Sequence, residues 1–342
     1  MYLHANTGAN SYRMKKSVAV IGQGFVGGSL TTVLSERGVT TYVYDKMGKV
    51  VKGGIQASCV IRGKIHRQPA SSVSDLITCC ESIPGQLETF SMVYFVCLPT
   101  PMFDDGECDI SIVEGVLDEL AAYPSDQSHW TAIGTKRIAV VKSTIPPGTT
   151  ERWNKKYKGT NLRIMFNPEF LREATALDDM RNQDRIVLGG PRPWINRVKE
   201  VFQSAFPNVP IIKTSSTTAE MVKYFTNNFL TVKVAFANEM FQICEALDAS
   251  GLDIDYDKVI EYSKYDPRIG DSHLAVPGPD GHKGYGGSCF VKDINAMIHI
   301  AKILNVQTQI LTGAWQKNLE VRPEKDWELL VGRAVSDKNR KH

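Results

Sequence analysis

Hydrophobic positions along the chain follow two regimes that change near residue 214. Upstream, short β-branched and apolar runs at 17–21, 40–44, 92–97, 137–141, 163–166 and 185–188 alternate with helix-like stretches such as 25–37, 110–122 and 149–158. Strands that are apolar throughout have both faces buried, so this half predicts a parallel α/β sheet covered by helices on both sides. Downstream, Ser215, Ser216, Thr217 and Thr218 offer N-caps with Glu220 close behind, and a long helix is predicted to about Ala249, closed by Gly251. Its main stripe is Met221, Phe225, Phe229, Val232, Phe236 and Met240, spaced by three or four. Leu230, Val234 and Phe241 lie nearly opposite, so the helix is expected to be covered on more than one side, as a spine between domains or subunits. Shorter helices are predicted at about 255–264 and 291–304.

Composition narrows the function classes. The chain has 342 residues, 42% of them apolar and 23% charged, which suits a globular protein and not a disordered one. A formal charge of +3, with Lys338, Arg340 and Lys341 supplying the excess, gives no reason to expect nucleic acid as partner. No apolar run approaches the roughly 18 residues of a membrane helix, and the first residues lack the apolar core of a signal peptide. Seven cysteines without paired CxxC spacing argue against a disulfide framework and against a metal site. A cytoplasmic enzyme is the expectation.

Four motifs carry candidate chemistry. The run 17–21 enters Gly22-Gln23-Gly24-Phe25-Val26-Gly27, a strand, three glycines at dinucleotide spacing and a helix. Gly22 permits the tight turn, Gly24 lets a pyrophosphate approach backbone, Gly27 lets helix pack on strand, and the helix N-terminus faces the phosphates. Asp45 closes the next strand, where a carboxylate binds both ribose hydroxyls and repels a 2′-phosphate, favouring NAD over NADP, a preference Lys46 softens a little. The second motif is 284–293, GYGGSCFVKD: Cys289 opens a helix, whose N–H groups and dipole should lower its pKa, and Asp293 follows one turn later. The other cysteines (Cys59, Cys79, Cys80, Cys97, Cys108, Cys244) read as structural. In the third, Glu169 and Glu173 are expected to share a helix face, one as general base and one holding it. In the fourth, Lys223 and Asn227 lie one turn apart, opposite the main stripe, where cover by Leu230 and Val234 would desolvate the ammonium. Together they suit oxidation through a covalent intermediate: a thiolate captures an aldehyde, a carboxylate activates water, and Lys/Asn donors stabilise an oxyanion.

The segments VAVIGQGFVG, FVCLPTP, VVKSTIPPG, FNPEFLREATALDD, AEMVKYFTNNFL, DPRIG and GYGGSCFVKD, in this order across about 17–318, resemble the UDP-glucose/GDP-mannose dehydrogenase family. The resemblance implies a Rossmann-type doubly wound sheet followed by a helical central domain with one long helix. The chain would then divide into an arm (1–16), an NAD-binding domain (17–213), a central dimerisation domain (214–318) and a charged tail (319–342). It implies oxidation of a nucleotide sugar's primary alcohol to a carboxylate with two NAD and one water, in the cytoplasm, supplying uronate for polysaccharide. UDP-glucose is the first substrate to expect, with GDP-mannose and other UDP-sugars behind it.

Carried over by motif, Cys289 would form the thiohemiacetal and then the thioester, and Lys223 and Asn227 would stabilise oxyanions. Asp293 and Thr144 would position water, Glu169 would be the hydrolytic base, and Glu173 would support the site. NAD would be lined by Gly22, Gly24, Phe25, Val26, Gly27, Asp45, Thr100, Thr144 and Glu173. The sugar nucleotide would meet Glu169, Phe170, Leu171, Lys223, Asn227, Tyr285, Gly286 and Cys289, with Arg268 reaching the partner subunit's substrate in a homodimer built on the long helix. Family members normally continue into a second nucleotide-covering domain for which little chain remains here, so the 273–283 loop, with His282 or Lys283 near phosphate, is the expected compensation. Two other readings stand beside this one. A non-catalytic regulatory homologue would show gaps in the Cys289, Lys223, Asn227, Asp293 and Glu169 set, and a one-step 3-hydroxyacid dehydrogenase would have no use for the thiol.

Overall fold

The structure, a computed structural model, describes residues 17–52, 55–56, 59–61, 64–66, 70, 72–81, 92–123 and 136–338. The expected N-terminal arm, the last four residues and the side chains of Cys59 and Cys79 lie outside the described residues. The first half alternates strand and helix: β1 (Ser17–Ile21), α1 (Phe25–Glu36), β2 (Thr40–Tyr44), β3 (Ile55–Gln56), then a small hairpin, β4 (Cys59–Ile61) and β5 (Lys64–His66). There follow α2 (Val73–Glu81), β6 (Val93–Val96), α3 (Ser111–Ala122), β7 (Arg137–Val141), α4 (Thr149–Lys156) and β8 (Leu162–Phe166). The half closes with α5 (Ala176–Arg181), β9 (Ile186–Gly189), α6 (Ile195–Ala205) and β10 (Ile211–Thr214). Eight strands form one sheet in the order β10-β9-β8-β7-β6-β1-β2-β3, parallel except for a single antiparallel bridge, Phe166 to Gly189, between β8 and β9.

Alternation along each strand explains why both faces are apolar. Ala19, Ile21, Tyr94, Val96, Ala139 and Val141 point into one layer with α2, α3 and α4. Val18, Val20, Val93, Phe95, Ile138 and Val140 point into the other with α1 and α6. Strand order reverses at β1, between β2 and β6, so a crevice opens above the carboxyl ends of β1 and β6, where open α/β sheets take ligands.

The second half is helical: α7 (Ser216–Ala249), α8 (Tyr256–Ser263), α9 (Cys289–Ile303) and α10 (Gln309–Val321). Ser215 caps α7 by accepting the Thr218 N–H at 3.1 Å. Glu220 does not complete a capping box. Its carboxylate instead accepts the Gly148 and Thr150 N–H groups at 2.6 and 2.8 Å, capping α4, whose own N-cap residue is a glycine. Thus α7 is fastened to the sheet domain by its first turns.

Most of the expected apolar stripe of α7 faces away from the chain, while Val232 and Met240 pack against buried clusters. Met221, Phe225, Phe229 and Phe236 are 40%, 67%, 61% and 60% exposed, and the Phe225 and Phe229 rings stack at 6.4 Å. The buried side is small and polar: Ala219, Lys223, Tyr224, Asn227, Asn228, Thr231, Ala235 and Asn238. Residues after 318 also depart from the expected charged tail. Trp327 and Ala334 are buried with Tyr285, Val291 and Ala314. The segment then crosses back to the sheet domain, with the Met102 N–H bonded to the Ala334 carbonyl, the Ser336 N–H to the Met102 carbonyl, and the Ser336 hydroxyl to Asp109.

Candidate active site

The turn after β1 is built for close approach. Gly22 has φ +89°, and a Cβ there would stand 2.3 Å from the Cys97 carbonyl oxygen; at Gly27 it would stand 1.9 Å from the Gly22 oxygen. Backbone on backbone leaves no room at either position. At Gly24 the direction of a Cβ is open, and the N-terminus of α1 carries no side-chain cap, so its N–H groups face the crevice. Phe25 and Val26 begin that helix; Val26 packs its side chain into the sheet layer and has only backbone to offer a ligand. Asp45 is held at the rim by the Gln23 N–H (2.8 Å) and the Met47 N–H (2.9 Å). On the other side of the crevice the Thr100 hydroxyl donates to the Thr144 carbonyl at 2.8 Å, joining the loops after β6 and β7. An open phosphate approach, uncapped helix N–H groups and a fixed carboxylate fit an adenine dinucleotide.

Beyond the crevice, three segments converge. Glu169 comes from the loop after β8, Lys223 and Asn227 from the inward face of α7, and Cys289 with Asp293 from the first turns of α9. Lys223 Nζ donates to Glu169 Oε1 at 2.9 Å, with both side chains buried. Asn227 Nδ2 donates to Asp293 Oδ2 at 2.6 Å, and Lys292 Nζ donates to the other Asp293 oxygen. Cys289 is half-buried at the helix start, with its sulfur 3.9 Å from the Ser288 hydroxyl. The Thr144 hydroxyl takes no part in this network.

Burial and charge set the protonation of the cluster. Burial alone would raise the Glu169 pKa, but Lys223, the Leu171 N–H (2.7 Å) and Lys142 hold it below the ordinary carboxylate value. For Lys223 burial acts to lower the pKa, and Glu169, Asp293 and Cys289 overcome it, so the ammonium is retained. Cys289 departs from expectation: burial pushes its thiol above the ordinary value, against Lys292 and Lys223, which pull it down. The helix start does not by itself yield a thiolate, because desolvation of the sulfur outweighs two neighbouring cations.

Several expected positions are corrected. Glu169 and Glu173 do not share a helix face: the chain is irregular from 167 to 172, and Glu173 opens a separate 3₁₀ turn, exposed and paired with Arg333. Phe170 lies against Lys223 and Arg185, its ring centre 5.9 and 4.3 Å from their charged ends, and Leu171 serves Glu169 through its N–H. Tyr285 is turned into the core, its hydroxyl on the Ala314 carbonyl at 3.4 Å. Gly286 is packed against Arg322, and open space lies at Gly287 instead. Arg268, expected to serve a partner subunit, is exposed and bonded to Asp266. In the 273–283 loop, His282 pairs with Glu324 and Lys283 with Glu245 at the surface.

Sequence reasoning passed over Lys292, one helical turn from Cys289, and Lys142, beside the Ser143-Thr144 pair. A free cation on the cysteine's own helix face was the available signal for the first. Cys80, Cys97, Cys108 and Cys244 are buried, and burial pushes Cys97 up to about 12 and Cys108 to about 11. Asp105, Glu107 and His299 bring possible ligand atoms within 4.8 Å of one another at the surface, with His299 Nδ1 on the Asp105 carbonyl at 3.1 Å. No helix among the described residues is long and apolar enough to cross a membrane.

The chain matches the NAD binding domain of the UDP-glucose/GDP-mannose dehydrogenase family over residues 16–206 and the central domain of that family over 217–320. It is 32% identical over 318 residues to the putative UDP-glucose 6-dehydrogenase YtcA of Bacillus subtilis, covering 88% of this chain and 67% of that one. It is 31% identical over 346 residues to the UDP-glucose 6-dehydrogenase AglM of Haloferax volcanii, covering 94% and 74%. Among solved structures, a UDP-glucose dehydrogenase from Pyrobaculum islandicum superposes with a TM-score of 0.65 at 26% identity, covering 90% of this chain and 68% of that one. This chain thus spans about two thirds to three quarters of the length of these relatives. Its sheet half is an NAD-binding domain, and the chain belongs to the UDP-glucose/GDP-mannose dehydrogenase family.

Proposed function

We propose that the protein oxidises the primary alcohol of a nucleotide sugar to the carboxylate, with UDP-glucose as its substrate and Cys289 as the covalent carrier. The observation that carries this reading is the buried convergence of Cys289, Lys223, Glu169, Asn227 and Asp293 at the end of the NAD crevice. A one-step alcohol dehydrogenase needs a proton acceptor and no thiol; this cluster supplies a sulfur nucleophile, an ammonium and an amide donor, and two carboxylates.

NAD, bound over Gly22, Gly24, Gly27 and Asp45, supplies a hydride acceptor twice. The residues do the remainder. Lys223 and Asn227 donate to the sugar oxygen as the alcohol's proton passes to solvent through a water that Asp293 orients and its hydride leaves to the first acceptor. The Cys289 thiol adds to the aldehyde carbon while its proton passes to the aldehyde oxygen, forming a thiohemiacetal. Loss of the second hydride, with the hydroxyl proton passing to solvent, leaves a thioester; water oriented by Asp293 then adds as Glu169 takes its proton, and that proton returns to the departing sulfur, releasing the acid and restoring the thiol. For Glu169 to accept that proton its bond to Lys223 must loosen, and the developing oxyanion is the competing partner that draws Lys223 away.

UDP-glucose is favoured over GDP-mannose by the names of the relatives at 31–32% identity. A homodimer on α7 is supported by the uncovered stripe of Met221, Phe225, Phe229 and Phe236 and by the outward reach of Arg268. Free thiols at Cys80, Cys97, Cys108, Cys244 and Cys289 fit the reducing cytoplasm. The test is NADH release with UDP-glucose, UDP-N-acetylhexosamines and GDP-mannose in parallel. The reading expects two NADH per UDP-glucose and a uronate product; one NADH per sugar, or none with any of them, overturns it.

A further inference from the structure

The reaction above gives no task to a buried cation that stands beside the loop of its base. Lys142, the residue after β7, is buried, and among the described residues its ammonium makes a single hydrogen bond, to Asn167 Oδ1 at 2.7 Å. Among the described residues no carboxylate is bonded to it, although an ammonium has three protons to donate and an unpaired buried charge is costly. Its surroundings point in one direction. Asn167 donates through Nδ2 to the Val187 carbonyl at 2.8 Å and the Pro168 carbonyl at 3.3 Å, fixing the start of the loop that carries Glu169. The charged and titratable groups facing Glu169 are Lys223 on α7, Lys142 after β7, the Cys97 thiol after β6 and the Cys289 thiol on α9. Two of these are cations, and only Lys223 touches the carboxylate.

The two lysines differ in freedom. Lys223 faces the cluster and, in the proposed reaction, turns to the sugar oxygen, leaving Glu169 without its direct partner. Lys142 is held by Asn167, whose own amide is tied to the Val187 and Pro168 carbonyls. We infer that Lys142 is a positioning residue for the base: through Asn167 it fixes the Glu169 loop, and as a fixed counter-charge it keeps Glu169 ionised while Lys223 serves the substrate. The inference rests on the role proposed for Glu169. Attraction between Lys142 and Glu169 acts on both groups, against the burial that lowers the lysine's own pKa.

The test compares pH profiles of turnover for the intact chain, Lys142→Gln, Lys142→Arg and Glu169→Gln. Gln keeps a hydrogen-bond donor for Asn167 and removes the charge; Arg keeps the charge. In the parent the acidic limb should vanish with Glu169→Gln. In Lys142→Gln that limb should move up by about one pH unit or more, so that activity just below it falls about tenfold while the plateau changes far less. Lys142→Arg should leave the limb in place. A limb that stays put in Lys142→Gln overturns the inference. A second readout needs no turnover: the carboxyl carbon of Glu169, isotope-labelled and assigned by its loss in Glu169→Gln, is titrated in Lys223→Met with and without Lys142→Gln. The added change should raise the midpoint, and equal midpoints contradict the counter-charge. Should no activity be found, or should the parent's limb survive Glu169→Gln, the proposed function fails while this titration still decides the role of Lys142.

Discussion

Lys223→Met is the perturbation whose cost the structure fixes best. It removes one member of a buried ion pair, 2.9 Å apart, and keeps the length and apolar stem of the side chain. Removing one partner of such a pair costs about 3–5 kcal/mol because the remaining charge is left in a poorly solvating site. Two groups soften the loss, the Leu171 N–H and the Lys142 charge, so the lower end of that range, about 3 kcal/mol, is expected at pH 8. At roughly 2 °C per kcal/mol for a chain of this size, that is a fall of about 6 °C in the thermal midpoint.

The cost must also depend on pH, with a definite sign. In the intact protein the Glu169 pKa is lowered on folding, so its contribution is present above the unfolded value of 4.5 and is lost as pH falls through the folded value. Lys223 is raised on folding, so its contribution is complete below 10.5 and is lost as pH rises through the folded value. In Lys223→Met, burial dominates Glu169 and lifts its pKa, so the variant sheds the buried charge by taking up a proton in mild acid. Its deficit should therefore shrink from pH 8 toward pH 5. Replacing both partners, Lys223→Met with Glu169→Gln, should recover most of the deficit at pH 8. Differential scanning fluorimetry across pH with urea titrations reads all three. A deficit under about 1 kcal/mol at pH 8, or one that does not change with pH, refutes the reasoning.

Further outcomes follow from the same structure. Gly24→Ala should fold like the parent and bind NAD several-fold more weakly by calorimetry, since its Cβ meets only the space a phosphate uses; Gly27→Ala should lower the thermal midpoint sharply, since its Cβ meets backbone. Phe229→Asp should shift the mass by light scattering from dimer toward monomer with little change in helical content, because that ring is exposed in the single chain; an unchanged mass would remove α7 as the interface. Glu220→Ala, which leaves the Gly148 and Thr150 N–H groups without their acceptor, should cost about 1–2 kcal/mol in urea unfolding, and no measurable loss would mean that water replaces the cap.

The sheet half was legible because a parallel sheet imposes a pattern that few other structures share. The six expected strands correspond to β1, β2, β6, β7, β8 and β9 within a residue or two, and the glycine turn sits where its spacing put it. The omissions have physical reasons. Edge strands β3 and β10 are short or half-exposed and carry little apolar signal. The α10 segment buries only Ala314 and Asn318 fully, so its sequence lacks a strong stripe. Four-residue spacing suggested that Glu169 and Glu173 share a helix, but Glu169 turns its carboxylate back onto the Leu171 N–H, a local bond that competes with helix.

The long helix shows why apolar periodicity misleads at a functional site. A helix that lines a reaction centre must turn lysine and asparagines inward, so its stripe points the other way, and the sequence alone cannot say which side is the interior. Distance in sequence hid the rest. Asp293 meets Asn227, and Arg333 meets Glu173, only through tertiary packing.

The central claim is that the Cys289 sulfur carries the sugar between two oxidations. Acid-quenching the protein during steady turnover with UDP-glucose and NAD, then mapping peptides by mass spectrometry, tests it directly. The account predicts an acyl adduct of the nucleotide sugar on the peptide containing Cys289, enriched in Glu169→Gln, where hydrolysis is slowed. An unmodified thiol in every quenched sample, while two NADH and the uronate accumulate, would contradict it.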